Sequence, residues 1–185
     1  LPNSFANPTV YYGPDVQPAS AGSLDDEFNG NTLNTSTRWT FLNQGSATAT
    51  LDNKSLVKLL IPSHANFSFC SIYQTAPATP WEVTAKFSIL TPSLTTGFQF
   101  VGLMIGDNTG KLIVWGPTDQ TAPSVIQQVN LNSSTSFNAS VKSTNWLMPS
   151  TYYLRLQDNG TNLLMSISSD GDNWFLFQTY GRTTF

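Results

Sequence analysis

The chain has 185 residues, of which 10% are charged, and a formal net charge of −3. That length suits one domain able to bury a full core, and a lone cysteine, Cys70, excludes an intrachain disulfide. Eight scattered cations make no basic footprint for nucleic acid, a lone histidine, His64, argues against a zinc site, and no apolar run reaches the ~18 residues of a membrane-spanning helix.

Residues 1–22 carry Pro2, Pro8, Pro14 and Pro18, with Gly13 and Gly22. Proline blocks both a helix and a central strand, so this segment reads as an extended arm or linker. Val10, Tyr11 and Tyr12 form one apolar knot in it. Aromatic side chains favour burial, which points to docking on this domain, on another subunit, or on a neighbouring domain. The chain opens at Leu1 without a basic-then-apolar signal segment, and reads as processed or as cut from a longer protein.

From Leu24 onward the pattern is strand, turn, strand. Trp81, Val83, Ala85, Phe87 and Ile89 alternate with Glu82, Thr84, Lys86 and Ser88, the period of a strand with one buried face. Residues 98–105 are apolar on both faces, which predicts a central strand covered from both sides or a strand lining a concave face filled by loops. Asn108-Thr109-Gly110, Asn159-Gly160 and Asp170-Gly171 lie between apolar runs and supply the positive φ of hairpin turns. They predict pairing of 98–106 with 111–116, of 151–157 with 162–168, and of 162–168 with 174–180. Asp52-Asn53-Lys54 joins 46–51 to 56–61 in the same way. About ten short strands and no helical stripe indicate an all-β sandwich or barrel, spanning residues 23–185.

Three segments carry a resemblance. They are Ser23-Leu-Asp-Asp-Glu-Phe-Asn-Gly30 with Leu33 and Trp39; Gly45-Ser-Ala-Thr-Ala-Thr-Leu51; and Tyr153-Leu-Arg-Leu through Ser168-Ser-Asp-Gly-Asp-Asn-Trp174. Together they resemble the concanavalin A-like lectin/glucanase superfamily, and most closely its jelly-roll modules in phage structural proteins and bacterial glycosidases. The resemblance implies a two-sheet antiparallel jelly-roll sandwich, here stopping before its closing strand. Such motifs specify fold far better than function.

Three chemistries bear on these residues. Glycoside hydrolysis needs two flanking carboxylates, and the glucanases that the chain resembles carry Glu-x-Asp-x-x-Glu on one strand. This chain has only Glu27 and Glu82 as glutamates, neither with a partner at that spacing, and His64 follows Pro62-Ser63 with no nucleophile elbow. The reading is therefore non-enzymatic, with no required cofactor. The second is a structural Ca2+, which the resemblance places near the N-terminal strand: Asp25 and Asp26 are its candidate ligands, beside Arg38 as the plainer ion-pair partner, while Asp170 and Asp172 are a weaker pair. The third is glycan binding through exposed aromatic rings. Trp39, Trp81 and Trp174 fall on apolar strand faces and read as core. Trp115, before Gly116-Pro117, and Trp146, in a polar stretch, are the candidates for stacking on sugar, against the alternative that each caps the edge of the core.

The resemblance thus leads to a non-catalytic module of a phage virion protein, in a fibre, tail or capsid decoration. Its partners would be other virion subunits, domains of a longer chain, or surface glycans, with neither nucleic acid nor membrane, and its location virion or extracellular. The alternatives are a carbohydrate-binding module of a secreted bacterial glycosidase and, third, a glucanase.

Overall fold

The structure, a computed structural model, describes residues 24, 26, 28, 32–51, 56–62, 66–88, 99–119, 125–146 and 151–184. Among these the chain forms thirteen strands and no helix, and every strand pairing is antiparallel. The short strands come first: β1 (Thr40–Leu42), β2 (Thr48–Leu51), β3 (Val57–Leu60) and β4 (Ser71–Tyr73). β1 pairs with β4, and β2 with β3 in a separate ribbon. Next come β5 (Trp81–Ser88), β6 (Gln99–Phe100), β7 (Leu103–Gly106), β8 (Leu112–Asp119), β9 (Val125–Ser133) and β10 (Ser136–Asn145). The last three are β11 (Thr151–Asp158), β12 (Asn162–Ser168) and β13 (Phe175–Gly181).

Two larger sheets result. One has the order β10-β9-β8-β6, with β7 also on β8; the other has the order β13-β12-β11-β5. The strand pairings expected from the sequence form, and in the described turns the turn residues hold their own backbone. Asn159 Oδ1 accepts from the N–H groups of Thr161 and Asn162 at 3.0 and 2.8 Å, and Gly160 takes φ +90°, the left-handed region that glycine enters without steric cost. Asp107 does the same for Thr109 and Lys111 between β7 and β8.

Strand alternation builds the core. On β11, Tyr152, Leu154, Leu156 and Asp158 are buried, while Thr151, Tyr153, Arg155 and Gln157 are half-exposed. Tyr152, Leu154 and Leu156 pack with Leu163, Met165, Ile167 and Phe177 against Ile113, Trp115 and Ile126 of the facing sheet. Each such large apolar side chain contributes about 1.5–3 kcal/mol on burial. Leu112, Val114, Val129 and Leu131 point the other way and pack under Leu42 and Phe69, so the five-stranded sheet is apolar on both faces.

Of the described residues 99–105, Leu103 and Ile105 pack toward one cluster and Phe100 and Met104 toward the other, so this stretch is apolar on both faces. It is not central: among the described residues β6 and β7 pair on one side only, with β8. The break between them falls at Gly102, which lies so close to the Trp115 carbonyl and Gly116 that a Cβ has no room.

Candidate functional site

Trp115 overturns the expectation of an exposed ring. It is 0% exposed and stacks on Phe177 across the two sheets, with ring centroids 6.1 Å apart. Gly116-Pro117 has the look of a strand end, but β8 continues through it to Asp119. Pro117 is tolerated there because its carbonyl bonds Val101 N–H at 3.1 Å, so its missing N–H faces the interruption between β6 and β7. Trp146 is half-buried against the same core, tilted on Phe175 at 5.5 Å. Phe175 is 48% exposed, so Trp146 and Phe175 form a partly wet aromatic pair where β10 meets β13.

Asp26 is committed to the fold. Its carboxylate accepts from Trp39 Nε1 at 2.7 Å and from Phe28 N–H at 2.9 Å, and pairs with Arg38 at 3.5 Å. This is the plainer of the two readings of that cluster. Asp25 lies outside the described residues, as do Val10, Tyr11 and Tyr12 of the expected arm, and Glu27 and His64. Among the described residues no three acidic, histidine or cysteine side chains gather as a metal site. Asp170 spends both oxygens on its own hairpin, accepting from Ser168 Oγ, the N–H groups of Asp172 and Asn173, and the Asn173 amide. Those bonds, the Asn173 side chain first, hold its carboxyl well below the usual range. Cys70 is half-buried just before β4, and burial raises its thiol pKa.

The outer face of the β13-β12-β11-β5 sheet gathers what the sequence reading kept apart. Arg155 Nε pairs with Glu82 Oε1 at 3.3 Å, Gln157 Nε2 donates to Glu82 Oε2 at 2.7 Å, and the Arg155 guanidinium lies 3.7 Å from the centre of the Trp174 ring. Beside them Lys86 Nζ lies 5.6 Å from the centre of the Tyr153 ring. Cation–π contacts of this kind hold long side chains in place. Trp174 is therefore not core, as its sequence suggested, but half-buried under an arginine. The signal was present in the outward alternation of Tyr153, Arg155 and Gln157; what hid it was the hairpin that returns Trp174 to that face. A separate open groove of about 580 Å³ runs between the Asn34–Arg38 turn and Gln74-Thr75, lined chiefly by hydroxyls and amides.

In comparisons with known proteins, the chain matches no family model, no curated protein and no solved structure.

Proposed function

We propose that this chain is a non-catalytic jelly-roll module of a phage virion protein, serving assembly. The observation that carries the reading is the β2–β3 ribbon. Leu56, Leu59, Leu60 and Ile61 are all more than 40% exposed there, and Leu59 and Leu60 lie on opposite faces of one strand. Apolar exposure on both faces of a ribbon is an aggregation hazard in a lone monomer. It is useful where neighbouring subunits cover it.

The use of carboxylates supports the non-catalytic part. Glu82 is clamped by Arg155 and Gln157, Asp26 by Trp39, and Asp158 by Arg182 at 3.1 Å. Asp107 and Asp170 are held below their ordinary pKa by hydrogen bonds from Thr109 and Asn173 respectively. A general acid in glycoside hydrolysis needs the opposite shift.

The test is sedimentation of the purified chain beside Leu59→Ser/Leu60→Ser, with a β-glucan hydrolysis assay. The reading expects the parent to form species larger than a dimer, the variant to lose them at an unchanged melting temperature, and no reducing sugar from either. Release of reducing sugar by the parent, abolished in Glu82→Gln, overturns it.

The Trp174–Arg155–Glu82 face favours a second reading, attachment to glycans, whether in a virion or in a module of a secreted glycosidase. Planar rings beside fixed donors and acceptors match the chemistry of a sugar. Array binding that is lost in Trp174→Ala supports this reading, and unchanged binding removes the face as its site.

A further inference from the structure

We propose that the free edge of β5 pairs with β5 of a second copy of this chain, antiparallel about a two-fold axis at Thr84, to make one continuous eight-stranded sheet. The inference does not depend on the chain belonging to a virion.

Among the described residues β5 is paired on one side only, with β11. Its eight residues keep that register without a shift, from Trp81 opposite Asp158 to Ser88 opposite Thr151. The other edges of the two larger sheets are interrupted. β10 has three register shifts, β13 has one against β12, and β6 is separated from β7. Bulges and breaks discourage edge-to-edge pairing, whereas a long regular edge is a template for it.

The core is also open at this edge. Val83 sits opposite Leu156, which is 1% exposed, on the same inward face; yet Val83 itself is 41% exposed. A further strand beside β5 would cover it.

The sequence of β5 fits a copy of itself. In Trp81-Glu-Val-Thr-Ala-Lys-Phe87, an aromatic, a charge and a small residue flank Thr84 on each side, and the two charges are opposite in sign. With the axis at Thr84, Glu82 faces Lys86 of the second copy, and Lys86 faces its Glu82. Trp81 faces Phe87, Val83 faces Ala85, and Thr84 faces Thr84. Opposite charges, aromatic pairs and Thr–Thr pairs are the favourable cross-strand combinations. Moving the axis to Ala85 sets Lys86 opposite Thr84 and Glu82 opposite Ser88, so neither charge meets its opposite. Placing it between Thr84 and Ala85 sets Glu82 against Phe87 and mixes the two faces.

The experiment uses the full chain with Cys70→Ser and Leu59→Ser/Leu60→Ser as background, so that contacts through the β2–β3 ribbon do not enter, and reads it by light scattering and oxidative cross-linking. Thr84→Cys places two thiols on directly opposed positions and is expected to form an intermolecular disulfide. Lys86→Cys separates them by about 13 Å along the strands and is expected not to. Lys86→Glu, which sets like charges opposite at both ends, is expected to raise the dimer dissociation constant at least about tenfold, with the monomer melting temperature lowered only by the small loss of the exposed Lys86–Tyr153 contact. A chain monomeric from micromolar to millimolar concentration overturns the proposal. So does a dimer indifferent to Lys86→Glu, or cross-linking at position 86 and not at 84. Dimerisation that appears only when residues 1–22 are deleted also overturns it, since the arm would then own the edge.

Discussion

The Trp115 indole on β8 and the Phe177 ring on β13 lie 12° from parallel across the space between the two sheets. Both are almost fully buried, at 0% and 1% exposed. Phe177→Ala removes the ring on which Trp115 rests and leaves a cavity lined by both sheets. The expected cost is about 3–5 kcal/mol, read from urea unfolding, with the fluorescence of Trp115 reporting entry of water. A loss below about 1 kcal/mol would mean that the sheets close over the gap.

Much of this architecture was legible in the sequence. The alternation at 81–88 and 151–158 and the Asn-Gly and Asp-Gly turns encode local pairing, and local pairing is what turn chemistry and period two determine. The site was less legible, for a physical reason. Trp115 and Trp174 were assigned by their immediate neighbours, but burial depends on which strand lies across the sheet. Gly116-Pro117 looks like a strand end until β6 and β7 are seen to break opposite it. Trp174 looks like core until Arg155, nineteen positions earlier, is seen to cover it.

Gln128 is 0% exposed, and neither its carbonyl oxygen nor its amide nitrogen has a hydrogen-bond partner among the described residues. It lies on β9 between Trp115 on β8 and Lys142 on β10. An unpaired buried amide costs about 1–3 kcal/mol, and methionine has nearly the same shape without that cost. Gln128→Met is expected to raise stability by about 1–2 kcal/mol in denaturant titration. Destabilisation would show that the amide is satisfied by buried water.

Acid should loosen the last hairpin. The Asp170 carboxyl is held low by the side-chain bond from Asn173, then by backbone N–H groups of Asn173 and Asp172 and by Ser168. A folded pKa below the unfolded value contributes stability that is fully present above the unfolded pKa, about 3.9. That contribution is lost as pH falls from there through the folded pKa. Asp170→Asn is therefore expected to lower the melting temperature at pH 7 and to flatten its decline below pH 4. Equal slopes in parent and variant would show that other carboxylates govern the acid limb.

Lys142 joins the open side of the two sheets. It stands next to a register shift in β10, after Ser140, that turns it to the core face beside Gln128. Opposite it, β13 has a shift of its own: Gln178 pairs with Met165 and Leu176 with Ser166, so Phe177 is the extra residue. An extra residue leaves its backbone groups outside the ladder, and Lys142 Nζ donates to the Phe177 carbonyl. The same ammonium lies 5.1 Å from the centre of the Phe177 ring and 3.5 Å from Gln178 Oε1. Two bulges and one lysine thus form a single device that ties edge to edge. Lys142→Met keeps most of the aliphatic stem but removes the charged donor, so the loss isolates the hydrogen bond and the cation–π contact. Charged hydrogen bonds contribute about 1.5–3 kcal/mol, and the partial exposure of this one favours the lower end, so about 2 kcal/mol is expected from urea unfolding. Because the ammonium meets a neutral carbonyl and a ring at contact distance rather than a distant counter-ion, the difference between parent and variant should persist in high salt. Backbone amide exchange should quicken in β10 and β13 while β11 and β12 keep their protection. A Lys142→Met protein with parental stability and exchange would mean that the sheets are held at this side by Trp146 and Phe175 alone.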